Sequence, residues 1–331
     1  MIQDAIPAIA ISAVLPLLIT YFSTAYLIKK LTAKGWVAMD YHKPDKPNIP
    51  RPGGPAIILG LSITMIVLYA ITHNNGILAI AIATLSGFIV GIVDDLRTLS
   101  GPLKPLFMIA GALPIILLGT YSPYFTFPLF GATRISFIYI LLILFAIPVT
   151  ANTVNTIDVL NGAVSGFVIL TSMPVIFALF LKQQFVLATS AIVLFSATVG
   201  FFMHHRFPSK IFPGDSGTLA FGAMYGAIVI VGGVELVGVI AILPAIMNSF
   251  FYLSSVRRFT EHRRIKVRPT VVLDDGRLVA ERDPKAPITL VRMIVADAPM
   301  SEKKIVQSIY KLTAFSSLLA TIVAALTWVK I

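Results

Sequence analysis

The chain has 331 residues, of which 57% are hydrophobic and 12% charged, with a mean hydropathy of +0.89. Soluble domains carry about 25% charged residues, so this composition excludes a cytosolic enzyme, a disordered chain and an ordinary nucleic-acid binder. The absence of cysteine removes disulfides, thiolate zinc sites and cysteine nucleophiles, and the formal charge of +11 is read first as membrane topology.

Apolar blocks of bilayer length predict transmembrane helices at 5–28, 54–73, 76–93, 105–120, 135–151, 163–181, 185–203, 216–233, 236–256 and 308–329. The first block is too long for a signal peptide, lacks a basic leading segment and runs into Lys29 and Lys30. Placing the loops after spans 1, 3, 5, 7 and 9 on one side collects 23 of the 26 Lys and Arg residues there. By the positive-inside rule these loops are cytoplasmic and both termini lie outside. Lys29, Lys30 and Lys34 read as interfacial anchors, as do His204, His205 and Arg206. His42 and His73 read as loop residues without assigned chemistry.

The one sizeable extramembrane segment, 257–305, reads as a cytoplasmic subdomain between spans 9 and 10. It opens with a basic run from Arg257 to Arg268. Val271–Leu273, an Asp274–Gly276 turn and Leu278–Ala280 then predict a β-hairpin, and Ser301 with Glu302 predicts a helix cap. The expected fold is therefore all-α: a polytopic membrane protein with about ten transmembrane helices and a short cytoplasmic β-hairpin insertion, forming one membrane-embedded domain over 1–331.

Acidic groups are costly in hydrocarbon, so their placement is informative. Asp94, Asp95, Asp158 and Asp215 all fall at or beside cytoplasmic span ends, and no predicted span carries an acid near its middle. The adjacent carboxylates of Asp94 and Asp95 ionise together only near a metal or other cations, and Lys104 follows nine residues beyond Asp95. Asn152, Asn155, Asp158 and Asn161 recur every third position, which sweeps about half a helix circumference. A helix end, turn and restart, permitted by Gly162, would let them converge. Phe212, Pro213, Gly214 and Asp215 precede span 8, where Asp215 serves either as an N-cap or as an acid at a ligand-binding helix terminus. Together these loops offer carboxylate and amide oxygens without Cys, the donor set of a hard cation such as Mg²⁺. His262, Arg263, Arg264 and Arg268 could bind anionic headgroups or clamp a pyrophosphate.

These four motifs, in this order on cytoplasmic loops, resemble the polyprenyl-phosphate N-acetylhexosamine-1-phosphate transferase superfamily (glycosyltransferase family 4). Within it the chain looks similar to the archaeal and eukaryotic transferases that move GlcNAc-1-phosphate from UDP-GlcNAc to dolichyl phosphate. The resemblance implies transfer at the cytoplasmic membrane face, release of UMP, and a role at the first step of N-glycosylation. It implies Asp94, Asp95 and Lys104 as catalytic residues, and Asn155 and Asp215 as ligands of Mg²⁺ or Mn²⁺. Phe212 would stack on uracil with Asn161 and Asp158 beside the nucleotide. His262, Arg263, Arg264 and Arg268 would hold the sugar and pyrophosphate. The implied partners are a UDP-N-acetylhexosamine, a polyprenyl phosphate and the membrane, with no nucleic acid; a homodimer is a family-based expectation. The implied location is the cell membrane, or the endoplasmic reticulum membrane in a eukaryote.

The chain departs from the eukaryotic pattern at Arg51, where that branch has an acid, and at Asp158, which resembles the bacterial branches. The segment between Asp95 and Lys104 also lacks the eukaryotic Asn and Trp. The same chemistry with another UDP-N-acetylhexosamine or undecaprenyl phosphate stays open, as does a transporter or flippase of lipid-linked substrates.

Overall fold

The computed structural model describes residues 2–99, 102–256 and 267–329. A long first helix, α1 (Ile2–Ala33), leads into a loop braced by two short strands, β1 (Val37–Met39) and β2 (Asn48–Pro50), before α2 (Gly54–Thr72) and α3 (Asn75–Leu96). The next apolar stretch is helical throughout, as α4 (Leu103–Ile109), a 3₁₀ turn at 110–112 and α5 (Leu113–Leu117). A hairpin of β3 (Tyr124–Phe127) and β4 (Gly131–Arg134) follows, then α6 (Ser136–Asn155), α7 (Ala163–Leu181), α8 (Phe185–His205) and α9 (Gly214–Gly232). The last third holds α10 (Glu235–Ala241), α11 (Leu243–Val256), β5 (Thr270–Val272), β6 (Arg277–Ala280), α12 (Leu290–Ile294), β7 (Met300–Ser301) and α13 (Glu302–Trp328).

Among the described residues, eight helices are long and apolar enough to cross a membrane, and α10 with α11 makes a ninth span bent by 64°. The protein is thus a mostly helical, polytopic membrane protein. Large side chains such as Phe22, Ile66, Phe145 and Phe315 are exposed on the outside of the bundle. That surface is costly in water and suited to lipid. The predicted span 105–120 is present as a shorter apolar helix, Leu103–Leu117, roughly 22 Å long. A single 3₁₀ turn at Ala110–Ala112, with helical backbone on both sides, joins α4 to α5.

The predicted hairpin at 271–280 is present, with Val271 opposite Val279 and Val272 opposite Leu278. A third strand, β7, adds to β6 through Arg277 and Ser301. Ser301 stands at the N-cap position of α13, but its side chain makes no capping bond there, which corrects the expected cap: its backbone is extended in the sheet. The β1–β2 and β3–β4 pairs were not foreseen; both are short and lie between helices.

Every residue of α9 is buried, although its mean hydropathy of 1.3 is the lowest of the eight spanning helices. Such a helix is built from small residues so that neighbouring backbones can approach. The α3 helix uses the same device from its own side. A Cβ added at Gly87 would stand 2.7 Å from the Leu219 carbonyl oxygen, and one at Gly91 would run into the Asp215 carbonyl. On the other flank, a Cβ at Gly222 would stand 2.6 Å from the Thr150 carbonyl of α6. Because α3 ends where α9 begins, this contact sets Asp94 and Asp95 against the first turn of α9. At the far end of α9, Lys182 Nζ donates to the carbonyls of Gly232 (2.8 Å) and Gly233 (3.0 Å), closing the helix with a cation.

Gly91→Ala is therefore expected to lower the apparent melting temperature in detergent, since overpacking of this kind costs about 1–3 kcal/mol. Leu85→Ala, on the lipid-facing side of the same helix and 44% exposed, should leave melting nearly unchanged. Equal melting of the two variants would contradict the close-approach account.

Candidate active site

The N-terminus of α9 is the organising element of the site. Of the two readings of Asp215 the N-cap one is excluded: Pro213 occupies the N-cap position and offers no side-chain bond, and Asp215 lies in the first turn. The free amides are instead met from another helix. Asp95 Oδ1 accepts from the Asp215 N–H (3.0 Å), while Oδ2 accepts from the Ser216 N–H (2.9 Å) and the Ser216 hydroxyl (2.7 Å). A carboxylate here also complements the positive end of the helix dipole.

Two cations sit among the acids. Lys104 Nζ, 5% exposed, lies 2.8 Å from both Asp94 Oδ2 and Asp215 Oδ2. Asp94 is fully buried, and its Oδ1 accepts from the Leu99 N–H at 2.7 Å. Arg51 reaches Asp95 Oδ1 at 2.9 Å and Asp215 Oδ1 at 3.0 Å. It is delivered by backbone pairing of its loop to the segment before α9: Phe212 N–H donates to the Pro50 carbonyl, and Gly53 and Gly54 N–H donate to the Phe212 and Pro213 carbonyls, all at 2.8–2.9 Å. A Cβ at Gly54 would meet the Gly217 nitrogen at 2.6 Å, so this docking requires glycine there.

The helix end, turn and restart expected at 152–162 is present: α6 ends at Asn155, Gly162 adopts φ +82°, and α7 begins at Ala163. Asn155 Oδ1 accepts from Thr218 Oγ1 (2.6 Å), one turn beyond Asp215. The Asn161 side chain is committed to the protein frame. Its Oδ1 accepts from Ser209 N–H (2.6 Å) and Lys43 Nζ (3.1 Å), and its Nδ2 donates to Asp40 Oδ2 (3.0 Å). Its backbone N–H donates to Glu302 Oε1 at 2.8 Å. Burial alone would raise the Asp40 carboxyl, but bonds from Lys43 and Asn161 hold it below the usual range.

Asp158 lies in the turn after α6 beside the same acids. Burial pushes its carboxyl up to about 7, with Arg51 opposing and Asp215 and Asp95 adding to the rise. His205, expected at the membrane interface, is instead 1% exposed. Its Nδ1 lies 2.7 Å from Ser165 Oγ and its Nε2 3.8 Å from Asp158. His204 packs its ring 4.7 Å from that of Tyr21. The doublet is therefore packing rather than anchor, because α8 turns both rings toward neighbouring helices.

Part of this cluster lines one cavity of about 1210 Å³, bounded by the α1–α2 loop, the α6–α7 turn and the β5–β6 segment, whereas Asp94, Asp95 and Lys104 do not line it and reach it through Asp215 and Arg51. Arg51, Asn155, Asp158, Asn161, Phe212, Asp215 and Arg268 all face it. Arg268 stacks on Tyr41, 3.7 Å from the ring centroid. His262, Arg263 and Arg264 lie outside the described residues. Sequence reading missed Arg51, seen only as a departure, and the Asp40–Lys43–Glu302 frame. The available signal for Arg51 was a lone charge in the rigid setting Pro50, Pro52, Gly53, Gly54 immediately before a span.

Four carboxylates (Asp94, Asp95, Asp158, Asp215) against two cations leave two negative charges uncompensated when all are ionised. That surplus and the oxygen donors of Asp215 and Asn155 fit a hard divalent cation. Among the described residues no three His, Asp or Glu side chains form a ready-made cage, so such an ion would complete its shell from water and a bound phosphate.

The raised Asp158 value has a measurable consequence. Its folded-state pKa of about 7 lies above the ordinary 3.8, so the folded state binds more protons between these limits. Stability without divalent cations is expected to fall as pH rises from about 4 to 7 and to level off above. Asp158→Asn should flatten that part of the curve, as read by thermal unfolding in EDTA across a pH series.

The glycosyl transferase family 4 model matches residues 76–233, the stretch holding Asp94, Asp95, Lys104, Asn155, Asp158, Asn161, Phe212 and Asp215. A Saccharolobus solfataricus protein, provisionally named UDP-N-acetylglucosamine–dolichyl-phosphate N-acetylglucosaminephosphotransferase, is 26% identical over 97% of this chain and 98% of its own. The phospho-N-acetylmuramoyl-pentapeptide-transferase of Streptococcus thermophilus is 26% identical over 80% of this chain and 85% of its own. A Bacillus subtilis protein, provisionally named undecaprenyl-phosphate N-acetylglucosaminyl 1-phosphate transferase, is 32% identical over 53% of this chain and 49% of its own. The chain is thus similar to glycosyl transferase family 4 over residues 76–233, and its match to the Saccharolobus protein runs along nearly its whole length.

Proposed function

We propose that this protein is a polyprenyl-phosphate N-acetylhexosamine-1-phosphate transferase that moves GlcNAc-1-phosphate from UDP-GlcNAc to dolichyl phosphate at the cytoplasmic membrane face, as in the first step of N-glycosylation. The observation that carries the reading is the convergence of Asp94, Asp95, Asp215, Lys104 and Arg51 at one end of the helix bundle, where Asp215 and Arg51 face a cavity of about 1210 Å³. Phosphoryl transfer is mainly positioning and charge neutralisation, and this arrangement supplies both. The basic loops on the same side support the cytoplasmic orientation. The dolichyl and GlcNAc choices rest on the archaeal relative's name.

In this reading an oxygen of the lipid phosphate attacks the sugar-bearing phosphorus of UDP-GlcNAc. The bond from that phosphorus to the bridging oxygen breaks, and UMP leaves. Asp215 and Asn155 would hold Mg²⁺, which neutralises charge on the diphosphate when bound. Lys104 stabilises charge on the phosphates. Asp94 and Asp95 orient the acceptor phosphate or take its proton, and Asp95 keeps the α9 terminus in place. Phe212 is held half-buried at the cavity wall, where it can stack on the base. Asn161 shapes the nucleotide end of the cavity through its bonds to Ser209 and Asp40, with Asp158 beside it. His262, Arg263, Arg264 and Arg268 complete the grip on sugar and pyrophosphate.

The purified protein is expected to release UMP from UDP-GlcNAc only when a polyprenyl phosphate and Mg²⁺ are present. Asp94→Asn and Asp215→Ala should each lower turnover on the order of 100-fold or more while the protein still folds. A panel of UDP-sugars offered with dolichyl and undecaprenyl phosphates measures the preference. Undecaprenyl-phosphate preference would support the bacterial-type assignment suggested by the Bacillus relative's name. Uptake of substrate into vesicles without UMP release would overturn the transferase reading.

A further inference from the structure

A divalent cation at Asp215 needs carboxylate oxygen, yet both oxygens of that side chain face a side-chain cation: Lys104 lies 2.8 Å from Oδ2 and Arg51 3.0 Å from Oδ1. The two cations are not equivalent. Lys104 is 5% exposed and also holds the fully buried Asp94 at 2.8 Å; withdrawing it would strip a buried carboxylate of its counter-charge, a strongly destabilising change. Arg51 stands on the loop between β2 and α2, with its side chain 29% exposed toward the cavity. Its contacts to both acids run through a single terminal nitrogen. If Arg51 leaves, Asp95 still accepts from the Asp215 and Ser216 amides and the Ser216 hydroxyl.

We propose that Arg51 is a built-in counter-ion that occupies the divalent-cation position at Asp215 and turns into the cavity when the ion binds. The inference rests on the metal-dependent reading given above. A guanidinium and a divalent cation cannot share one carboxylate oxygen at about 3–4 Å without strong repulsion, so pairing with Arg51 and binding of the ion exclude one another. Before the ion arrives, Arg51 would offset one charge of the acid cluster, and Asp95 keeps α9 anchored in either state. The exchange also makes Arg51 a positioning residue that sets cation affinity, and it accounts for a basic residue at the place where the resemblance leads one to expect an acid.

The test is Mn²⁺ binding to the full-length protein in detergent, with free Mn²⁺ read by electron paramagnetic resonance. Arg51→Gln is expected to bind Mn²⁺ about ten-fold tighter or more than the unaltered protein. It should also melt lower in EDTA and recover on adding MgCl₂. Arg51→Lys, too short to bridge both acids, is expected to fall between the two and carries the test if Arg51→Gln does not fold. Equal or weaker Mn²⁺ binding by the variants, with clear binding by the unaltered protein, would overturn this inference and leave the transferase reading standing. No Mn²⁺ binding by any of them, with UMP release persisting in EDTA, would overturn the metal assignment and this inference together.

Discussion

The structure depends on one close approach, that of α3 to α9. A membrane interior offers no water to the free amides of a helix terminus, so a buried α9 start must find acceptors within the protein. Asp95 supplies them from α3, and it can do so only because Gly87 and Gly91 let the two backbones nearly touch. That carboxylate brings its neighbour Asp94 into the same volume, where Lys104 and Arg51 offset part of the accumulated charge. The charged cluster thus follows from the way a polar helix terminus is accommodated in an apolar bundle.

A second set of buried polar contacts frames the cavity on its other side. Asp40, Lys43, Asn161, Ser209 and Glu302 join the α1–α2 loop, the α6–α7 turn, the segment before α9 and the start of α13. Each of these stretches would otherwise be a free loop at the end of a helix bundle. Buried polar networks of this kind rigidify when satisfied, and here the fixed residues include Asn161 at the cavity wall. Phosphoryl transfer gains most of its acceleration from such preorganisation, so the frame is as relevant to the proposed chemistry as the acids themselves.

Much of this was legible in the sequence, and the failures have physical causes. Hydropathy located the spans because crossing a bilayer requires a long apolar run. It found the helix at 105–120, which is shorter than the other spans and carries a 3₁₀ turn at Ala110–Ala112. It also read 236–256 as one helix, although the chain bends by 64° between α10 and α11, with Pro244 near the start of the second. The turn at 156–162 was visible in the three-residue spacing of Asn155, Asp158 and Asn161 together with Gly162. The burial of His205 was not, since a His-His-Arg run at a span end has the composition of an anchor, and only packing against Ser165 and Asp158 distinguishes the two.

What the sequence determined by itself was the membrane class, the order of the spans, and the gathering of most acids and cations in loops on one side. These are properties of composition along a line, and the cost of placing charge in hydrocarbon enforces them. What the tertiary structure alone decided was the pairing: Asp95 as the cap of a distant helix, Lys104 shared between Asp94 and Asp215, and Arg51 at the remaining oxygen of Asp215 from 164 residues away. Such pairings act over about 3 Å, a distance set by helix packing through glycines and not by any local pattern of residues.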